Sequence, residues 1–123
     1  MESVKSNSEL ASLVFESMNK RNFSPLAPHL SEEAAIDFPG AGLIVGKKRG
    51  LIFLNVLLRK YPVLKFTIKE IITSDERACV VWTNKGKDAS GNSYSNSGMT
   101  LIHFTNCRIS FISDYFKDTS FTE

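Results

Sequence analysis

The carboxyl-terminal half of the chain constrains the fold most, because it consists of four long apolar segments separated by short turns. The segment "LKFTIKEII" places Phe66 and Ile68 in alternation with polar side chains. The segments "ACVVWTNKGK", "YSNSGMTLIHFT" and "ISFISDYFKDT" follow, joined by "SDER", "DASGNS" and "NCR". Neighbouring residues of a strand point to opposite faces, so the alternation in the first segment indicates a half-buried strand. The short turns between the four segments predict four antiparallel strands.

The amino-terminal half has helical periodicity instead. Residues 8–20 predict an amphipathic helix, and Ser6 with Glu9 fits a capping box at its start. The segment "FSPLAPHL" predicts a short second helix, capped by Ser24 and with Pro25 in its first position.

Residues 47–60 predict a third helix, which follows a short strand and turn in "AAIDFPGAG". The sequence "KKRGLIFLNVLLRK" is apolar on more than one face, so we expect this helix to be buried on most sides. Helices followed by antiparallel strands indicate the α+β class.

Composition limits the class of protein. The chain has 123 residues, which fits a single domain over 1–123, with 42% hydrophobic and 23% charged residues. A net charge of +2 is too small to indicate nucleic-acid binding. Cys79 and Cys107 lack metal-motif spacing, and no phosphate-binding glycine loop is present, so we expect free thiols and no metal or other cofactor. The polar start "MESVKSNSEL" and the lack of a long apolar run predict a cytoplasmic protein without a membrane segment.

Both faces of the later strands are apolar. Residues 99, 101 and 103 are Met, Leu and His, whereas residues 100, 102 and 104 are Thr, Ile and Phe. In an antiparallel sheet with one solvent-exposed face, apolar and polar residues should alternate along each strand. The helices can cover only one side of this sheet. A second copy of the chain is the simplest cover for the other side, so we expect a homodimer through the outer sheet face.

The order of these elements resembles a known family. The chain resembles the SnoaL-like branch of the nuclear-transport-factor-2-like superfamily, which includes polyketide cyclases and ketosteroid isomerases. The resemblance lies in the order of a helix, a short helix, "IDFPGAG", an apolar helix ending in "YP" and four strands ending in "RISFISDYF". The resemblance covers nearly the whole chain. It implies a cone in which three amino-terminal helices pack on a strongly curved, mostly antiparallel sheet around an apolar pocket. Homodimers through the outer sheet face are common in that family.

The isomerase residues are missing from this chain. By motif position, the oxyanion tyrosine falls on Val14, the protonated aspartate on Ile102 and the base on Phe38, with Asp37 one residue earlier and on the opposite strand face. The strand "GMTLIHF" also lacks the carboxylate and arginine that limonene epoxide hydrolase uses. Neither chemistry is expected here.

The last strand keeps the aspartate that the resemblance implies for acid–base chemistry. Pocket-facing positions fall on Ile112, Asp114 and Phe116, and Asp118 shares their parity as a weaker candidate. Asp114 can be a pocket acid or base with a raised pKa, a structural carboxylate bonded to Tyr94, Tyr115 or a backbone amide, or a solvated side chain. Asp118 is expected to be exposed or to cap the chain end.

A set of mostly apolar side chains is the candidate pocket lining, although each can also be plain core. The candidates are Phe15, Met18, Phe38, Phe53, Asn55, Leu57, Trp82, Ile102, Ile112 and Phe116. The parity of His103 places it on the outer face.

Two functions are compatible with these residues. The first is an acid–base enzyme of isomerase, cyclase or hydrolase type that acts on a small hydrophobic molecule through Asp114. The second is a non-catalytic module of the same fold that binds a hydrophobic ligand or acts as a dimeric interaction module.

Overall fold

The structure is a computed structural model that describes residues 5–122. Within that part, two α-helices and six strands follow one another: β1 and β2 lie between the helices, and β3 to β6 follow the second. Their bounds are α1 Asn7–Lys20, β1 Leu30–Phe38, β2 Gly42–Val45, α2 Lys47–Arg59, β3 Val63–Ser74, β4 Arg77–Lys87, β5 Ser93–Thr105 and β6 Arg108–Phe116. Short 3-10 helices span Ala27–His29 and Ser120–Thr122.

The six strands form one curved, mixed sheet in the order β2-β1-β6-β5-β4-β3. The predicted antiparallel pairing of the last four strands is confirmed, while β1 runs parallel to β6. Strand β2 was not predicted, because its four residues pair only with β1 after a tight turn. The fold is therefore α+β with a mostly antiparallel sheet.

Helix α1 begins at the predicted capping box. The Ser6 hydroxyl accepts a hydrogen bond from the Glu9 N–H at 3.1 Å, and the Glu9 carboxylate accepts one from the Ser6 N–H at 3.0 Å. Near the other end, the Asn19 amide bonds both backbone groups of Phe66, at 2.8 and 3.0 Å. Because β3 is an edge strand, this contact pairs backbone groups that no neighbouring strand reaches and attaches α1 to the sheet.

Arg21 joins the carboxyl-terminal ends of the two helices. It caps α1 with a left-handed backbone, φ 56°, and its guanidinium donates hydrogen bonds to the carbonyls of Leu58 and Tyr61. Those carbonyls lie at the end of α2, where a cation also interacts favourably with the helix dipole. The contact holds both helices over the same face of the sheet.

The prediction of a second α-helix in "FSPLAPHL" is wrong. Residues 24–26 form turns, and only Ala27–His29 makes a 3-10 helix. A helix starting at Pro25 would need the N–H of its fourth residue, and Pro28 has none. The cap position of this 3-10 helix is Leu26, which makes no side-chain cap hydrogen bond, so the capping role predicted for Ser24 is wrong. The Ser24 N–H donates to the Asn22 side chain at 3.1 Å.

The expectation that α2 is buried on most sides is also wrong for the single chain. Only Gly50, Leu54 and Leu58 are buried, whereas Ile52 is 55% and Val56 42% exposed. The helix packs on β1 and β2 through one face. Within residues 5–122, neither α1 nor α2 is long and apolar enough to cross a membrane.

Candidate active site

A cavity of about 40 Å³ lies between the two helices and the inner face of the sheet. Seven of the ten predicted lining residues face it, and they come from both helices and from three strands: Phe15, Met18, Phe38, Leu57, Trp82, Ile112 and Phe116. Their aromatic rings meet edge to face, for example Phe66 with Trp82 at 5.3 Å and Trp82 with Phe116 at 4.9 Å. The walls are therefore closely packed and mostly apolar.

Three predicted lining residues lie elsewhere. Ile102 is fully buried core deeper in the fold, and Phe53 borders a shallower groove beside Phe38. Asn55 is on the exposed face of α2, where its amide bonds the Leu51 carbonyl one turn back at 2.9 Å. The apolar run that surrounds Asn55 in the sequence suggested burial, but α2 buries only one of its faces.

Several lining residues were missed by sequence reasoning. Asn84 and Thr100 line the cavity from β4 and β5, and Tyr61, Tyr94 and Phe121 also border it. Strand parity could have identified Asn84 and Thr100. Asn84 lies on the same strand face as Trp82, and Thr100 lies on the same face as Ile102. No comparable signal exists for Tyr61 and Phe121, which lie outside the α-helices and strands.

The carboxyl group of Asp114 is the acidic group in the cavity. The Thr100 hydroxyl, directly opposite on β5, donates a hydrogen bond to its Oδ1 at 2.6 Å. The Trp82 indole N–H in turn donates to the Thr100 Oγ1 at 2.9 Å. Thr100, and not Tyr94 or Tyr115, is thus the hydrogen-bond partner of Asp114.

Burial raises the pKa of Asp114 from 3.8 to about 6. The Thr100 hydrogen bond opposes this rise because it stabilises the carboxylate, and the negative charge of Asp37 adds to it. Asp37 itself faces the other side of the sheet, where the Ser113 hydroxyl donates to it at 3.3 Å. The predicted opposite parity of Asp37 is therefore confirmed.

Gly98 makes room for the indole of Trp82. A Cβ at this position would lie 3.0 Å from the Trp82 ring and 2.1 Å from the Tyr115 carbonyl oxygen. The glycine lies between Trp82 on β4 and Phe116 on β6 in the sheet register. Its missing side chain lets the two aromatic rings meet across β5 and form the cavity wall beside Asp114.

Asp118 does not join Asp114 in the cavity. It is exposed, and its carboxylate accepts a hydrogen bond from the Ser120 N–H at 2.9 Å, which lowers its pKa. The Asn96 amide bonds the Asp118 backbone at 2.8 and 3.2 Å and so fixes the segment that brings Phe121 against Phe116. Asp118 is thus exposed, and its carboxylate bonds the backbone two residues farther along the chain.

The charge of the site is limited to Asp114. Among the lining residues that the structure describes, none is Lys, Arg or His. Within residues 5–122 no three His, Cys, Asp or Glu side chains come together as a metal site would require. His103 faces the outer side, where its ring lies 5.1 Å from that of Phe111.

Comparison with known structures finds the same fold in many proteins. An NTF2-like protein of unknown function from Burkholderia pseudomallei K96243 superposes with a TM-score of 0.84 at 21% identity, over 93% of this chain and 92% of that one. TerC, co-crystallised with polyporic acid, has a TM-score of 0.82 at 14% identity, over 94% of both chains. A candidate SnoaL-like polyketide cyclase from Jannaschia sp. CCS1 has a TM-score of 0.80 at 12% identity, over 94% and 92%.

Sequence comparison adds the family. No curated protein matches the chain. The family model of the SnoaL-like domain matches residues 12–112, which includes most of α1 and all of α2 and β1 to β5, and ends two residues before Asp114. The match spans most of the chain and agrees with the structural similarity. The chain therefore belongs to the SnoaL-like domain family, within the NTF2-like fold.

Proposed function

We propose that this protein binds a small hydrophobic molecule in the cavity and transfers a proton to or from it through Asp114. The observation that carries the proposal is a carboxyl group with a pKa of about 6 among apolar walls. A group that titrates near the working pH combines the correct protonation state with driving force for proton transfer.

The protonation states of Asp114 define its two roles. With a pKa of about 6, the carboxylate dominates at neutral pH and can remove a proton from a carbon next to a carbonyl group. The protonated Asp114 then returns that proton to another atom of the same molecule, which completes an isomerisation or a cyclisation. The apolar walls keep water from competing for the proton.

Thr100 and Trp82 position the carboxyl group. The Thr100 oxygen accepts from the indole N–H, so its own proton is free to point at Asp114. This arrangement leaves the second carboxylate oxygen of Asp114 available to the ligand. Both residues act through Asp114 and are positioning residues.

The solved relatives support a small molecule as the ligand. One is described as a candidate polyketide cyclase, and another was crystallised with polyporic acid. A cavity of about 40 Å³ is narrow, so we expect the ligand to be compact or the walls to open around it.

The test is hydrogen–deuterium exchange at carbons next to the carbonyl of small cyclic and aromatic ketones, followed by NMR in D₂O. We expect exchange catalysed by the parent chain and a loss of about a hundredfold or more in Asp114→Asn. Asp118→Asn is the matched control, since Asp118 is an exposed aspartate of the same chain segment, and it should keep full activity. Exchange that survives Asp114→Asn would contradict the acid–base role.

A non-catalytic binding module is the alternative, and the missing isomerase residues favour it. Val14 and Phe38 line the cavity where an oxyanion donor and a base stand in the isomerases, so Asp114 has no such helpers. Ligand binding with no exchange in any variant would support this alternative. A ligand that co-purifies with the protein, identified by mass spectrometry, would name the molecule in either case.

We also propose a homodimer through the outer sheet face. Strand register places Met99 beside Tyr115 on this face, with Ile72 farther across the sheet. These side chains are 39%, 55% and 52% exposed in the single chain. A sheet face with this much apolar surface is typical of a protein interface.

A further inference from the structure

Asn84 is a polar residue of the cavity that the acid–base proposal does not use. It is 5% exposed, lies on the inner face of β4 and lines the same cavity as Asp114. Its side-chain oxygen has no hydrogen-bond partner. A buried amide without a partner destabilises a fold, so its presence calls for a partner that the single chain lacks.

The neighbours of Asn84 cannot supply that partner. Across β3 lies Phe66, whose ring is apolar and whose backbone groups bond Asn19. Across β5 lies Asn96, whose amide already bonds Tyr94 and the backbone of Asp118. Asn84 borders the cavity and also an open groove between Lys65 and Lys85, and the cavity is the enclosed one of the two.

The position of Asn84 along the sheet sets the shape of a ligand. Asn84 pairs with Asn96, which is four residues along β5 from Thr100, the partner of Asp114. Four residues of strand span about 13 Å. Asp114 and Asn84 thus lie at separate points along the cavity, with aromatic walls between them and the Tyr61 and Tyr94 side chains also at its border.

We propose that Asn84 is a specificity-determining residue that binds a hydroxyl or carbonyl oxygen at the end of the ligand remote from Asp114. The amide can turn end for end in the same volume and so accept from a hydroxyl or donate to a carbonyl. This inference rests on the proposed function and narrows the ligand to an uncharged, mostly apolar carbonyl compound with a second oxygen at its far end. Anionic ligands are disfavoured because no described lining residue is cationic.

A matched pair of probes tests the assignment: acetophenone and 4-hydroxyacetophenone, which differ by one remote hydroxyl group. Trp82 is the one tryptophan in the sequence and lines the cavity, so its indole N–H resonance reports binding in a ¹⁵N–¹H spectrum. We expect the parent chain to bind the hydroxylated ketone about two- to tenfold more tightly, the range for one hydrogen bond.

Asn84→Leu should bring the ratio of the two dissociation constants close to one, and Asn84→Ala should do the same without added bulk. Ser17→Ala is the matched control, because the Ser17 hydroxyl is also buried without a partner but does not line the cavity, so the variant should keep the ratio. Asn84→Leu should also unfold at an equal or higher temperature, since it replaces an unpartnered amide by a packed side chain.

The outcomes separate the two proposals. A ratio that Asn84→Leu and Asn84→Ala leave unchanged, or equal binding of both ketones by the parent chain, overturns the assignment of Asn84 and leaves the pocket proposal standing. A ratio that Ser17→Ala also removes does not report a contact with Asn84, and this result overturns the assignment as well. An indole resonance that moves with neither ketone contradicts both proposals.

Discussion

At the scale of single residues, Asp114 couples the stability of the fold to pH. Its pKa is about 6 in the folded chain against an ordinary value of 3.8. Between these two values the folded chain holds a proton that the unfolded chain has released, so a falling pH stabilises the fold. Above pH 6 the folded chain carries the full cost of a buried carboxylate, which is about 2–3 kcal/mol.

We therefore expect Asp114→Asn to be more stable than the parent chain at pH 8, by up to about 3 kcal/mol, because the variant has no charge to bury. The difference should shrink as the pH falls and close near pH 4. Urea unfolding of both chains across this pH range measures it. A difference that stays constant with pH would contradict a raised pKa.

Asp118→Asn should change the stability of the fold in the opposite direction, and it serves as the control. The pKa of Asp118 is lowered by the Ser120 hydrogen bond, so its charged form stabilises the fold above the unfolded-state pKa. That contribution is lost as the pH falls through the folded-state pKa. The variant should be less stable than the parent at neutral pH and should approach it in acid.

Thr100→Val tests the positioning of the carboxyl group. The Thr100 hydroxyl stabilises the ionised form of Asp114, so its removal should raise the pKa of Asp114 above 6, by about one unit. Thr105→Val removes an exposed threonine of the same strand and should leave that pKa unchanged. NMR titration of both variants is the measurement, and an unshifted or lowered pKa in Thr100→Val would speak against the hydrogen bond.

The family resemblance predicted which parity of the last strand faces the pocket, and strand alternation then placed Asp114 on that face. Its hydrogen bond to Thr100 was not predictable. The contact depends on the register between β5 and β6, which shifts at a bulge between His103 and Phe104. A sequence without a known register leaves the cross-strand partner open.

At the scale of elements, the packing of β5 between β4 and β6 depends on Gly98. Any side chain there would overlap the Tyr115 carbonyl and the Trp82 ring, so we expect Gly98→Ala to lower the free energy of unfolding by about 2 kcal/mol or more. Ser95→Ala, at an exposed position of the same strand, should cost well under 1 kcal/mol. Chemical denaturation compares the two, and equal stabilities would contradict this packing.

Long, strongly periodic elements were the ones that could be predicted. Helix α1 and strands β3 to β6 follow from periodicity, turns and the capping box at Ser6. Strand β2 was missed because four residues are too few to show a periodic pattern. The turn that replaces the second helix was missed because a segment with two prolines also shows little periodicity. The one-sided burial of α2 depends on what packs against it, which the sequence does not contain.

At the scale of the whole molecule, the outer sheet face should be covered by a second chain. We expect size-exclusion chromatography with light scattering at micromolar concentration to give a dimer. Tyr115→Glu should convert it to a monomer, because the substitution places charge within an apolar interface. Ile52→Glu is the matched control, since Ile52 is equally exposed at 55% but lies on α2, away from that face. A parent chain that elutes as a monomer would rule the dimer out.

The central property proposed for the molecule is an aspartate, Asp114, that titrates near neutral pH inside an apolar cavity. A ¹³C titration of the aspartate carboxyl groups, with the Asp114 signal assigned by its loss in Asp114→Asn, measures this pKa directly. We predict a value of about 6, clearly above the ordinary 3.8. A value at or below 4 would contradict the acid–base role of Asp114.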